Sequence, residues 1–163
     1  MNTKETFRKS ERLCSRKVIS GLFESGNIFY TSLFKIVWGK SSGTFSGPAQ
    51  VTFSVSKRGF RHAVTRNFIK RRLREAYRKN KETLYAHLHS ENTQIAFVVI
   101  LRGNRIPDYL TIEKSIKEML DKLIALNRNT NGLKTEDGRR KTEDGSPKSE
   151  DGRRKTEDRS ESI

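Results

Sequence analysis

The hydrophobic positions near the start of the chain predict a first helix. Ser10 can act as the N-cap of a helix that runs to about Ser25, and Gly26 follows its last turn. The apolar side chains that would share a face of this helix are Leu13, Ile19, Leu22 and Phe23.

Apolar segments further along the chain predict strands. Residues 33–38 (LFKIVW) and 50–55 (QVTFSV) flank a connection rich in Gly, Ser and Pro, which predicts two strands joined in a hairpin with a long loop. Residues 28–30 could add a short strand. The run IAFVVIL at residues 95–101 is too short for a typical helix and rich in branched side chains, which predicts a strand buried on both faces at the centre of a sheet.

A last helix is predicted after Pro107 and Asp108. From about Thr111 onward, apolar residues recur at spacings of three and four, as on one face of a helix. This stripe consists of Ile112, Ile116, Met119, Leu120, Leu123 and Ile124. We expect it to lie on the sheet.

The densest charge lies between the segments 50–55 and 95–101. Residues 57–81 contain eleven Lys or Arg and one acid, Glu75. A helix capped by Thr65 would direct one side to the sheet, namely Ile69, Leu73, Ala76, Tyr77 and Leu84. The opposite side would hold Lys70, Arg71, Arg74, Arg78 and Lys81, flanked by Arg72 and Lys79. Because neighbouring like charges repel, this face indicates an anionic partner; the alternative is a solvated face, which would normally mix Lys with Glu.

The overall charge points the same way. A formal net charge of +15 and a pI of about 10.2 favour nucleic acid or an anionic membrane surface as the partner, over a protein that is merely basic. Lys and Arg outnumber Asp and Glu by 24 to 10 in residues 1–127, but only by ten to nine in residues 128–163. No apolar run exceeds seven residues and the N-terminus is polar and basic, so neither a membrane span nor a secretion signal is expected.

The last part of the chain is a seven-residue repeat, whose copies begin at Lys134, Lys141, Lys148 and Lys155. A coiled coil needs apolar residues at two positions of each heptad, and Gly and charged residues occupy them here, which predicts disorder. We therefore expect a domain over residues 1–127 and a disordered charged tail over residues 128–163. The tail is either a nearly neutral extension from local duplication or a weak contact for RNA or protein.

Few residues are of the types that catalyse reactions or bind metals. The three histidines, His62, His87 and His89, are scattered, and surface or loop positions are expected for them. The single cysteine, Cys14, cannot form an internal disulfide, and we interpret it as a small buried residue in a reducing compartment. No paired carboxylates, Cys/His dyad or metal-ligand cluster stands out, so neither catalytic nor metal-binding residues are expected in the protein.

Residues 53–78, FSVSKRGFRHAVTRNFIKRRLREAYR, closely resemble the signature region of the bacterial ribonuclease P protein component. The shared features are a strand ending in Ser-Val-Ser-Lys, a Gly-containing loop, Ala-Val, and then Arg-Asn and Ile-Lys-Arg at the start of an arginine-rich helix. The resemblance covers roughly residues 7–126. It implies an α+β fold, a small single domain with a central mixed sheet, helices and a left-handed βαβ crossover.

The resemblance also implies a function. In that family a magnesium-dependent RNA subunit hydrolyses the phosphodiester that joins the 5′ leader to mature tRNA, and the protein contacts this RNA and binds the leader in a cleft. The implied partners are the catalytic RNA and precursor tRNA, with neither DNA nor a membrane. Mg²⁺ is expected in the RNA–protein complex and not on the protein alone, and the expected location is the cytoplasm.

The resemblance assigns an RNA-binding set, namely Lys57, Arg58, Arg61, Arg66, Asn67, Phe68, Lys70, Arg71, Arg72, Arg74 and Arg78. Phe68 replaces the second Arg of the family's Arg-Asn-Arg motif, and His62 stands where the family usually has Asn. The Phe68 ring could stack on a base, or it could pack against the loop around Phe60. Gly59 and the helix N-terminus also offer backbone N–H groups to a phosphate.

The corresponding leader-binding positions are Ile19, Phe23, Lys35 and Val37. Only Phe23 is aromatic, so weaker stacking is expected, and Lys35 could compensate through a phosphate; core packing is the alternative for Phe23. By alternation, Phe34, Ile36 and Trp38 should point to the other face of the sheet.

Two other classes of protein compete with this interpretation. A structural RNA-binding protein, such as a ribosomal protein or an RNA chaperone, would need the same basic helix but no cleavage partner. A DNA-binding module is disfavoured, because a helix that reads base edges protrudes, whereas this one lies between strands that should hold it flat.

Overall fold

The computed structural model describes residues 6–41 and 45–132. Its strands are β1 (Asn27–Tyr30), β2 (Phe34–Lys40), β3 (Ala49–Val55) and β4 (Ile95–Leu101). Its helices are α1 (Arg16–Ser25), α2 (Ala63–Asn80), α3 (Glu82–Ser90) and α4 (Tyr109–Gly132), with a short 3₁₀ turn at Lys9–Glu11 before α1. The α+β class and the short strand at residues 28–30 are confirmed. None of the helices in the described ranges is long and apolar enough to cross a membrane.

β4 lies inside the sheet, whose strand order is β1-β2-β4-β3. It pairs antiparallel with β2 and parallel with β3, in each case from Ile95 to Leu101. Every residue of β4 except Ile100 is buried, so the most apolar segment takes the position where neighbours cover both edges and both faces. The predicted hairpin of β2 and β3 is wrong, because β4 lies between these two strands.

β3 and β4 are parallel neighbours, and α2 and α3 form the connection between them. Parallel strands cannot be joined by a tight turn and need such a crossover. The predicted βαβ unit is therefore present, and its left-handed sense stays a prediction.

Two layers of helices cover the two faces of the sheet. α2, α3 and α4 pack on the face that carries Phe34, Ile36 and Trp38, as the alternation of β2 predicts. The stripe on α4 joins this main core through Ile112, Ile116, Met119, Leu120 and Leu123. α1 packs on the opposite face in a smaller core of Leu13, Leu22, Val37, Ala96 and Val98.

The first helix begins later than its sequence predicts. Ser15, not Ser10, is the N-cap, and its hydroxyl accepts from the backbone N–H of Val18 at 3.5 Å. Ser10 lies in the 3₁₀ turn, and the backbone beyond it stays extended because the Leu13 N–H donates to the Val51 carbonyl at 3.0 Å. The predicted end is confirmed, since the Gly26 N–H donates to the Leu22 carbonyl at 2.9 Å.

The basic helix also differs at both ends. α2 begins at Ala63 with His62 as its N-cap, three residues before the position expected from a Thr65 cap. It ends at Asn80, so Leu84 lies on α3, although it remains buried in the same core.

Two further expectations change. Cys14 is exposed rather than buried. His87 is buried on α3, with its Nε2 atom 3.3 Å from the Asn127 amide nitrogen, so it has neither a surface nor a loop position. α4 continues to Gly132, and the repeat lies outside the described residues, so the division into a domain over residues 1–127 and a tail over residues 128–163 stays a prediction.

Candidate nucleic-acid interface

One side of α2 is fixed in the main core. Ile69, Leu73, Ala76 and Tyr77 are fully buried. The Tyr77 ring makes edge contacts with Phe7, Phe53 and Phe97, at centroid distances of 5.8, 5.9 and 6.1 Å. This packing determines which side of α2 faces the core, so the other side faces outward.

The outward side of α2 carries cations without acidic neighbours. Its unpaired set consists of Lys70, Arg71, Arg72 and Arg74. Within residues 6–41 and 45–132, no carboxylate lies within ion-pair distance of these four side chains. We call them the α2 cation row. A row of this kind attracts a polyanion and gains little from the rest of the protein.

The charges in this row crowd one another. The pKa of the Arg74 guanidinium is lowered by its partial burial, and then by the positive charges of Arg12 and Arg71. Arg12 comes from the segment before α1, which sequence reasoning did not place at this surface. No local pattern in the sequence indicates this position, because Arg12 is placed by its pairing with Val51, which is distant in the sequence.

Two cations predicted to extend the row are already paired. Arg78 forms a two-pronged contact with Glu75, at 2.9 Å from Nε and 2.7 Å from Nη2, and this contact lowers the pKa of the Glu75 carboxyl. Lys81 pairs with Glu11, and both side chains are largely buried. The paired cations therefore lie toward the end of α2, where Lys79 also lies over the Tyr109 ring at 5.3 Å from its centroid, and the α2 cation row lies before them.

Arg66 stabilises the loop that leads into α2. Its Nη1 atom donates to the carbonyls of Phe60 and Arg61, at 2.8 and 2.7 Å. The loop also passes close to the segment after β4, because a Cβ atom on Gly59 would lie 2.7 Å from the Gly103 carbonyl oxygen. Lys57, Arg58, Arg61 and Asn67 are exposed around this loop and the first turn of α2.

Phe68 lies on the outward side of α2, as its helical position predicts. The ring is 45% exposed, and the Arg72 guanidinium lies over it at 4.2 Å from the ring centroid. Phe60 is instead buried in the main core, and Phe68 does not join it there. The exposed ring and the guanidinium offer a stacking surface for a base.

The α1 face of the sheet holds the other predicted site. Phe23 is 50% exposed, so core packing does not account for its ring. Ile19 and Lys35 are partly buried. Val37 is completely buried beneath α1, and its side chain therefore offers no surface to a ligand.

Tyr30 is an aromatic residue on this face that sequence reasoning missed. It pairs with Lys35 across β1 and β2, so the two side chains lie on the same face, and its ring is 52% exposed. The Arg102 guanidinium lies 5.3 Å from the Tyr30 ring centroid. Alternation in residues 28–30 could have indicated this orientation, had the pairing with β2 been known.

Residues 6–41 and 45–132 contain no group of three or more His, Cys, Asp or Glu side chains placed to hold a metal ion. The chemistry of this surface is instead that of guanidinium, ammonium and aromatic groups. These groups bind phosphates and stack on bases.

Comparison with known proteins shows which family this chain resembles. The family model described as Ribonuclease P matches residues 7–124. The ribonuclease P protein component of Porphyromonas gingivalis strain ATCC 33277 is 36% identical over 130 residues, which cover 78% of this chain and 93% of the relative. The ribonuclease P protein component of Chlorobium phaeobacteroides is 30% identical over 125 residues, 71% of this chain and 86% of the relative.

Two solved structures share the fold. The RNase P protein of Staphylococcus aureus matches with a TM-score of 0.58 at 22% identity, over 71% of this chain and 96% of that one. The RNase P protein from Thermotoga maritima matches with a TM-score of 0.56 at 22% identity, over 69% of this chain and 96% of that one.

Proposed function

Because the chain belongs to the bacterial ribonuclease P protein family, we propose that it is the protein subunit that binds the catalytic RNA of ribonuclease P and the 5′ leader of precursor tRNA. Membership of the family implies a role in tRNA processing and an RNA partner. The proposal adds which surfaces of this chain do the binding.

The α2 cation row is the observation that supports contact with the catalytic RNA. Four cations face outward without carboxylates within ion-pair distance in the described part of the chain, and the buried side of α2 holds them in place. Phosphates would relieve their mutual repulsion, and release of counterions from the RNA would favour binding. Phe68 and Arg72 add a stacking surface beside the row.

The α1 face supports contact with the leader. Phe23 and Tyr30 expose two aromatic rings there, while Lys35 and Arg102 supply positive charge. Single-stranded RNA is bound by such combinations, because bases stack on rings and cations follow the backbone. Tyr30 thus supplies a ring at a site where the predicted positions offered only Phe23.

In this proposal the protein assists and the RNA cleaves. Hydrolysis of the phosphodiester is assigned to the RNA, and the Mg²⁺ that it needs to the RNA–protein complex, as the resemblance to the family implies. The chain would work in the cytoplasm, beside its tRNA substrates. Its own contribution is binding energy for the RNA and for the leader.

Reconstitution tests the proposal. Full-length protein, the cognate ribonuclease P RNA and precursor tRNA are combined at low magnesium, and cleavage rate and precursor affinity are measured with and without protein. We expect both to rise, and mature tRNA, which lacks the leader, should show a much smaller gain in affinity. If neither quantity changes, the chain is not acting as this subunit, and a structural RNA-binding protein becomes the better interpretation.

A further inference from the structure

The segment before α1 is fastened to the domain at several points. The Gln50 side-chain amide donates to the Ser10 carbonyl at 3.0 Å, and the Leu13 N–H donates to the Val51 carbonyl at 3.0 Å. Arg12 pairs with Val51 in an isolated parallel bridge. Residues 10–13 therefore lie along β3 as a short addition to the sheet.

A buried acid fixes the same segment to the helices. Glu11 is only 7% exposed, and its carboxylate accepts from the Lys81 ammonium, the Tyr85 hydroxyl at 2.9 Å and the Arg8 N–H at 2.6 Å. Lys81 also donates to the Thr6 carbonyl at 2.6 Å. We call these groups the Glu11 network. It connects the segment to the junction of α2 and α3.

The fastened segment holds Arg12 near α2. Arg12 is exposed, and its guanidinium lies 5.4 Å from the Phe7 ring centroid. Phe7 in turn contacts Tyr77 of α2 edge to face, so a continuous set of contacts leads from Arg12 to the basic helix. The lowered pKa of Arg74 agrees with this position, because burial and then the Arg12 charge are its leading causes.

We propose that Arg12 is a further RNA-contacting residue, and that Glu11 is the positioning residue that holds it beside Arg71 and Arg74. This inference rests on the proposed function of the α2 cation row. Three guanidinium groups close together repel one another, and a loosely attached Arg12 would move away when no RNA is bound. The Glu11 network opposes that movement, so the cation is in place before the phosphate arrives.

The test is a double-mutant cycle on the full-length chain with the cognate ribonuclease P RNA. Dissociation constants are measured over a range of salt concentrations for Arg12→Ala, Glu11→Gln and the double variant. Arg12→Ala should bind about tenfold more weakly, with a salt dependence shallower by about one unit in log Kd against log salt. Glu11→Gln should show much of both effects, although it leaves every cation in the chain.

The RNA affinity of the double variant distinguishes a positioning role of Glu11 from a purely structural one. If Glu11 acts through Arg12, adding Glu11→Gln to Arg12→Ala should weaken binding by less than about twofold more. Multiplied effects, or a Glu11→Gln variant that loses thermal stability but keeps its affinity and salt dependence, would show that Glu11 only stabilises the fold.

Two controls keep the outcome clear. Lys114→Ala removes an exposed cation from α4 and should leave affinity within about twofold of the wild type. If Glu11→Gln does not fold, Tyr85→Phe removes one hydrogen bond to Glu11 and leaves the ion pair with Lys81 intact. This substitution should weaken RNA binding when Arg12 is present, and should have no effect on binding when it is combined with Arg12→Ala. If the Arg71→Ala, Arg74→Ala double variant binds RNA weakly but Arg12→Ala binds normally, the inference about Arg12 is wrong and the proposed function still holds. If both bind normally, the proposed function fails as well.

Discussion

Phe68 is a half-exposed ring covered on one side by the Arg72 guanidinium. A ring in this environment contributes little to the core, so its replacement should affect binding more than folding. The same argument applies to Phe23 and Tyr30 on the opposite face. At the scale of single residues, exposed aromatics are therefore the most informative targets.

We expect Phe68→Ala to weaken binding of the catalytic RNA by about 1 kcal/mol, because one stacking surface is lost. The loss of thermal stability should be far smaller than the roughly 3–5 kcal/mol typical of a buried Phe. Binding by fluorescence anisotropy and thermal unfolding measure the two effects. Val64→Ala, at an apolar position of the same helix that is 81% exposed, is the matched control. A large fall in stability with normal affinity would contradict the stacking role.

Phe23→Ala and Tyr30→Ala should each reduce discrimination between precursor and mature tRNA, by about 1–3 kcal/mol if a base stacks on the ring. Affinity for mature tRNA should change little, because it lacks the leader. Competition binding with both tRNAs measures the difference. Ile28→Ala is the control, since it removes an equally exposed apolar side chain from β1 without removing a ring. Equal losses for both tRNAs would show that the rings do not contact the leader.

At the scale of the elements, the cations on and just after α2 fall into two groups, those with a carboxylate partner and those without one. Arg71 and Arg74 belong to the free group, whereas Arg78 and Lys81 each have a carboxylate partner. Removing free cations should therefore affect RNA binding directly. Removing Lys81 should instead disturb the contact with Glu11 that joins the segment before α1 to the helices, whereas the pair of Arg78 with Glu75 lies within α2.

Replacing Arg71 and Arg74 together with Ala should weaken RNA binding and reduce its salt dependence by about one unit for each cation. The measurement is Kd as a function of salt concentration. Lys114→Ala with Lys117→Ala removes the same charge from α4 and tests whether net charge alone is responsible. An unaltered salt dependence in the α2 variant would mean that the row is only a solvated face.

Local patterns predicted the elements better than their neighbours in the sheet. The apolar stripes of α4 and the alternation in β2 depend on short sequence intervals, and the structure confirms both. The pairing of β4 with β3 depends on residues more than forty positions apart, and no local signal distinguishes it from a β2–β3 hairpin. The start of α1 was also misplaced, because the hydrogen bond from Leu13 to Val51 keeps the backbone extended beyond the expected cap at Ser10.

The candidate site shows the same difference between local patterns and long-range contacts. The outward cations of α2 followed from helical periodicity, because their position depends on one helix. Arg12 and Tyr30 could not be placed, since each reaches its surface only through contacts with another part of the chain. The pairing of Lys81 with Glu11 also depends on the fold, because the two residues are distant in the sequence. The pairing of Arg78 with Glu75, by contrast, could be expected from their spacing of three residues on one helix.

At the scale of the whole molecule, the repeat can be tested by truncation after Gly132. Residues 133–163 hold nine Lys or Arg and nine Asp or Glu, so the truncated chain keeps the full excess of +15. We expect its affinity for the catalytic RNA and its stimulation of cleavage to stay within about twofold of the full chain, because the long-range attraction is unchanged. Reconstituted cleavage assays measure this. A loss of tenfold or more would show that the repeat itself contacts RNA.

The position of β4 has a consequence for the order in which the protein can form during synthesis. Both neighbours of this strand, β2 and β3, leave the ribosome before it does. They pair with β4 and not with each other, so the sheet cannot be completed until residues 95–101 emerge. α2 emerges in the same interval, with its apolar side still lacking the completed sheet. A nascent chain stopped before Ile95 should therefore remain unfolded and sensitive to protease, and protection should begin only once the last third of the domain has been made.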